Sequence, residues 1–105
     1  MGIANFTLTN YGRYGGNPGR GNIVSTKFRT SGAHTTSTSA SNLEDAGGDV
    51  TAQAGEILII TPTEAMWMNA GSGTAAIGTG LYLEAGQTAI VEIEETGTVS
   101  VIDVA

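Results

Sequence analysis

The chain reads as an all-β protein, a β-sandwich of jelly-roll type preceded by an extended Gly-rich arm, and three observations lead there. First, no window of ten or more residues gathers helix formers with apolar spacing near 3.6. Second, period-2 alternation recurs. Phe6 and Leu8 alternate with Thr7 and Thr9; Ala89, Val91 and Ile93 oppose Glu92 and Glu94; Val99 and Val101 oppose Ser100 and Ile102. Third, glycine, 16 of 105 residues, is about twice its usual frequency and falls at turn-like intervals.

Eight strand segments follow in order. Residues 4–9 alternate. Residues 22–28 and 33–38 come next, the latter within the mostly Ser/Thr stretch Thr30 to Ser41, which reads as an edge strand or a mobile link, and Asn42-Leu43-Glu44-Asp45-Ala46 suits one short helical turn. Residues 50–53 precede 56–61, where Ile57-Leu58-Ile59-Ile60 lacks alternation and so reads as a central strand buried on both faces. Residues 65–69 carry Met66, Trp67 and Met68. Segments 80–84 and 88–94 are taken together, with Leu81 and Leu83 flanking Tyr82, and 98–104 closes the set. In Glu94-Glu95-Thr96-Gly97 the glycine suits a hairpin loop that needs positive φ. Gln53-Ala54-Gly55-Glu56 before 57–60 is echoed by Glu84-Ala85-Gly86-Gln87 before 88–91. Ala-Gly turns ahead of strands are common in all-β proteins, and the echo is read that way.

Charge is segregated along the chain. Arg13, Arg20, Lys27 and Arg29 are its only basic side chains, and all ten acids lie between Glu44 and Asp103. We read one domain over residues 1–105, made of a basic arm with edge strands (1–43) and an acidic β body (44–105). Tyr11 to Gly21 holds five glycines with Tyr11, Arg13, Tyr14, Pro18 and Arg20, too little apolar surface to order itself. The arm is therefore expected to dock on an acidic surface: a neighbouring copy, a different partner or the chain's own body. Without the arm, a body of about 60 residues is marginal, and oligomerisation is the natural remedy.

Composition sets aside several functions. A net charge of −6 and a pI near 4.4 argue against nucleic acid or anionic lipid as the main partner. The Tyr-Arg-Gly spacing of the arm resembles RNA-binding tails, but four cations on an acidic chain are too few. The absence of Cys removes disulfides, thiolate metal sites and thiol nucleophiles. Ile57 to Ile60 is too short to span a bilayer, and the first residues match neither a signal peptide nor, with Phe6, a myristoylation signal. Asn5-Phe6-Thr7 matches a glycosylation pattern that is idle without secretion. A soluble protein of the reducing cytoplasm is the expectation.

Chemistry is sparse. His34, the single His, has no acid near it in sequence and reads as solvated or structurally hydrogen-bonded. Glu92 and Glu94 share a strand face, and with Glu95 they read as a solvated or partner-facing surface rather than a cation site. Gly71-Ser72-Gly73-Thr74-Ala75-Ala76 matches a dinucleotide pattern, but Ile77-Gly78-Thr79-Gly80 cannot start the helix it needs. No catalytic, cofactor or metal residue is assigned, and no enzyme activity is expected. Trp67 is expected in the core, with an interface anchor as the alternative. The candidate interface residues are Tyr11, Arg13, Tyr14, Arg20, Lys27, Arg29 and Trp67.

One resemblance extends this reading. The run from Gly55-Glu56-Ile57-Leu58-Ile59-Ile60-Thr61 through Ala65-Met66-Trp67-Met68-Asn69, Gly73-Thr74-Ala75-Ala76, Gly80-Leu81-Tyr82-Leu83 and Ala85-Gly86-Gln87 to Val99-Ser100-Val101-Ile102 resembles small virion proteins of tailed bacteriophages. It covers roughly residues 50–105 and leaves the arm outside. The resemblance implies a β-sandwich on the virion, assembled in the host cytoplasm, with no catalytic residue. We expect a capsid decoration (cement) protein that binds the major capsid protein or another virion protein and forms homo-oligomers. The alternative is a tail- or fibre-associated module contacting a host receptor or carbohydrate, with Tyr82 and Glu84 or Trp67 and Asn69 as the sugar platform.

Overall fold

The computed structural model describes residues 1–10 and 27–105. Among them there is no helix, and all strand pairings are antiparallel. The strands are β1 (Ile3–Thr9), β2 (Thr30–Thr35), β3 (Ser41–Asn42), β4 (Glu44–Asp45), β5 (Gly48–Asp49), β6 (Thr51–Ala52), β7 (Ile57–Pro62), β8 (Met66–Asn69), β9 (Leu81–Leu83), β10 (Ala89–Glu92), β11 (Gly97–Thr98) and β12 (Ser100–Asp103). One four-stranded sheet runs β10-β7-β1-β2 and a second runs β3-β12-β8-β9. Two short pairs, β4-β5 and β6-β11, complete the set.

Alternation decides which side chains meet. Ala4, Phe6 and Leu8 of β1 point inward beside Leu58 and Ile60 of β7. From the second sheet come Met66, Met68, Leu83 and Val101, and all belong to one buried cluster. Burying each Leu, Ile or Met contributes about 1.5–3 kcal/mol. The cluster also takes Leu43 and Val50, so the core draws on both sides of the division expected at residue 43.

Strand β1 lies inside its sheet, pairing with β2 on one side and β7 on the other, and β2 ends that sheet. Two expectations need correction. The helical turn at 42–46 is absent, because Leu43 is held extended, its N–H donating to Val99 and its carbonyl accepting from Val50. Segments 80–84 and 88–94 part company, β9 joining β8 in one sheet and β10 joining β7 in the other. The segment expected as an arm, residues 11–26, lies outside the described residues. Its flanks do not: β1 precedes it, β2 follows it, and Leu8 sits opposite Thr30. Residues 27 and 28 are not in a strand.

The sequence echo maps onto a local two-fold arrangement. Strands β7 and β10 pair with Ile59 opposite Ile90, the two residues that correspond in the echo. Gly55 donates its N–H to Ile93 at 2.7 Å, and Gly86 donates to Pro62 at 2.8 Å. Both glycines take positive φ, 91° and 75°. The symmetry breaks where Ile93 donates to Glu56, because the corresponding residue, Pro62, has no N–H.

Gly97 is needed for a reason other than the one expected. It does not adopt positive φ. A Cβ there would instead collide with Ser72 Oγ and stand 2.6 Å from Ser72 N, where the 70–73 loop crosses β11. Two substitutions separate these causes. Gly97→Ala meets backbone and is expected to cost about 2–3 kcal/mol. Gly86→Ala has open space around it and is expected to lose only the left-handed conformational penalty, about 1 kcal/mol. Urea-unfolding midpoints rank the two, and the reverse order would refute the packing explanation.

Candidate interaction site

The basic residues within the described chain are Lys27 and Arg29, and Arg29 is committed internally. Its guanidinium grips Glu56 in a fork, Nε to Oε2 at 2.7 Å and Nη2 to Oε1 at 2.8 Å, and Nη2 also donates to the Thr51 carbonyl. Its backbone N–H donates to Leu8. Glu56 further accepts the Gln53 N–H at 2.7 Å. The side chain of Glu56 is 7% exposed and that of Arg29 40%. The hydrogen bonds from Arg29, ahead of the Gln53 N–H and the attraction of the two charges, hold the Glu56 carboxyl below its ordinary value, while burial opposes them. Arg29 thus fastens the start of β2 to the turn before β7. Sequence reading offered Arg29 as an interface residue and missed Glu56, which stands just ahead of the apolar run 57–60.

Trp67 lies on the outer face of the second sheet, half-buried, while Met66 and Met68 fill the core. This overturns the expected placement of Trp67. The methionines win the interior because they fall in register with Leu83 and Val101. On the outside, Ile102, Trp67 and Tyr82 form one row across β12, β8 and β9. The two rings pack tilted at 60° with centroids 5.3 Å apart, a favourable aromatic geometry. Tyr82 is 46% exposed. The neighbouring row is covered instead: the 70–76 loop folds over it, with the Ala75 N–H on Ser100 Oγ at 2.9 Å. Tyr11, Arg13, Tyr14 and Arg20 lie outside the described residues.

His34 is buried, with Nε2 at 2.8 Å from Ser41 Oγ. The contact has the distance of a base and a nucleophile, but its surroundings do not. A polar recess of about 410 Å³ over β2 and β4 is lined by His34, Glu44 and Asp45 and not by Ser41. The Asp45 carboxylate is already taken by the Thr30 hydroxyl at 2.6 Å and the Gly47 N–H at 2.8 Å. These bonds, that from Thr30 first, hold its pKa below the ordinary value. His34–Ser41 and Thr30–Asp45 therefore act as clasps that tie β2 to β3 and β4 and close one side of the molecule. Among the described residues no group of three or more His, Asp or Glu could hold a metal ion, and no helix is long and apolar enough to cross a membrane.

A second buried acid also escaped sequence reading. Asp103 accepts the Thr36 hydroxyl at 2.6 Å and the Gly2 N–H at 3.1 Å. It continues the inward parity of Val99 and Val101, which could have marked it.

The Arg29–Glu56 pair yields a test. Glu56 has a lowered folded pKa, so its contribution is present above its ordinary value of 4.5 and is lost as pH falls through the folded value. Arg29→Met strands a buried carboxylate. Because water reaches part of Arg29, the cost at neutral pH is expected near 2 kcal/mol, below the range for fully buried pairs. The gap between variant and parent should narrow once the pH drops below about 4.5. Thermal melts across pH check both points. A pH-independent gap would show that Arg29 acts only by packing.

Comparison of the chain with protein-family models, with curated proteins and with solved structures finds no match in any of the three.

Proposed function

We propose that the chain is a structural protein of a tailed-phage virion, a capsid decoration protein that binds the outside of the shell and reinforces joints between major capsid proteins. The observation that carries this reading is the row Ile102–Trp67–Tyr82, an outward apolar strip set in the part of the chain with the virion-like pattern. Trp and Tyr are enriched at the anchoring points of interfaces. Many such small contacts, repeated by symmetry, hold a cement protein through avidity. The acidic surface keeps the free protein soluble. The basic residues Arg13 and Arg20, with Tyr11 and Tyr14, strap subunits together, and the protein works as a homo-oligomer on the virion.

A β-sandwich suits this role, and the strand order supports a Greek-key form of it. Across the clasped side β2 adjoins β3 through His34 and Ser41. Passing round both sheets, β7-β1-β2-β3 and β12-β8-β9-β10 then each fall in Greek-key order. Jelly rolls are also built from two Greek keys over eight strands, and that type is part of the proposal.

Purified protein mixed with shells that lack it is expected to co-sediment saturably. Trp67→Ala with Tyr82→Ala should weaken binding about tenfold or more without lowering the melting temperature greatly. No saturable binding would reject decoration. Selective glycan-array hits abolished by Trp67→Ala would move the protein to a tail or fibre module. Arg13→Glu with Arg20→Glu should weaken assembly and leave melting unchanged, and unaltered assembly would remove the strap.

A further inference from the structure

The two sides of the molecule are finished differently. One is clasped by His34–Ser41 and Thr30–Asp45, with β2 packed on β4. The other, between β10 of the first sheet and β9 of the second, is open. Both are terminal strands, so among the described residues each has one side without a ladder partner. A groove of about 290 Å³ lies between them. Met68, Leu81 and Val91 contribute to its apolar lining, and Glu92, Glu94 and Glu95 stand on its rim. Leu81, at 40% exposure, leaves apolar surface in the same groove.

We propose that this open edge is a docking site for an extended, Arg- or Lys-bearing segment of another protein chain. The segment lies along β10 with its cationic heads on Glu92, Glu94 and Glu95. Charge complementarity selects that occupant. The three carboxylates line one groove, and the ion pairs seen among the described residues go to Glu64, Asp103 and Glu56 instead. The apolar lining accepts the aliphatic stems of Lys and Arg while their heads stay at the wet rim. A terminal strand offers backbone hydrogen bonds to an added one, which gives affinity independent of sequence. Direct β10-to-β10 joining of two copies is disfavoured, because it brings Glu92 and Glu94 toward their own kind. Nucleic acid is excluded by the sign of the charge. The open edge is a different surface from the Ile102–Trp67–Tyr82 row, and its occupant does not depend on the virion reading.

The test uses the intact chain and a capped eight-residue peptide alternating arginine with valine, titrated by calorimetry, with glutamate replacing arginine in a control peptide. The arginine peptide is expected to bind saturably, more weakly at high salt, and about tenfold more weakly to Glu92→Lys with Glu94→Lys. The glutamate peptide is expected not to bind. Should the charge reversal not fold, Glu94→Gln with Glu95→Gln is expected to weaken binding in the same direction by a smaller factor. Self-association of the unmodified chain that the arginine peptide displaces also supports the site, with a second copy as the donor of the cations. Absence of saturable binding by the arginine peptide, equal binding of both peptides, or binding indifferent to these substitutions overturns the proposal. Shell binding can succeed or fail independently of every one of these outcomes.

Discussion

Strand β1 is paired on both sides, and the rest of the molecule depends on that. Residues 3–9 hydrogen-bond with 30–35 and with 57–62, so the first strand of the chain stitches two later parts into one sheet. Its inward residues Ala4, Phe6 and Leu8 then supply the middle of the shared core. An interior strand loses two ladders at once if displaced, and the inner row of the opposing sheet loses its cover. The bond from Gly2 to Asp103 and the contact of Thr36 with the same carboxylate extend the stitch to β12 in the second sheet.

Charge separation along the chain becomes charge pairing in space at one point. Arg29 comes from the basic third and Glu56 from the acidic remainder, and they meet in a fork beneath which Gln53 donates as well. A buried carboxylate is tolerable only when its lone pairs are answered, and here three N–H groups answer them. The same fork positions the turn whose glycine, Gly55, opens the locally symmetric pairing of β7 with β10. Electrostatics and register therefore support each other at this corner.

The surfaces left over differ in character. The outer face of the second sheet presents an apolar row, half roofed by the 70–76 loop. The side between β9 and β10 presents apolar lining with carboxylates above it, while the opposite side is sealed by side-chain hydrogen bonds. A chain that needed only solubility would have little use for an exposed Tyr82 on the outer face of the second sheet or an exposed Leu81 beside the open groove. These exposures are the physical reason to look for partners on both surfaces.

Much of the fold was legible in the sequence because local rules decide it. Alternation marked β1, β10 and β12, the unbroken Ile57 to Ile60 run marked an interior strand, and glycine marked the turns. The echo at Gly55 and Gly86 announced two like turns, and the structure pairs the strands they introduce. Of the candidate site, Trp67 was visible as a residue but not as a direction, because Met66-Trp67-Met68 alternates equally well with either face inward. Only register against Leu83 and Val101 chose the methionines for the core. Glu56 was hidden because its partner lies 27 positions away, and Gly97 because the atoms it must clear belong to Ser72. The sequence by itself determined the longer alternating strands, most of the turns and the separation of charge, since these depend on neighbours one to four residues apart. Tertiary structure alone decided which strand sits inside the sheet, which face Trp67 takes, where Arg29 spends its charge and which side stays open, since each is settled by groups that meet only after the chain has closed on itself.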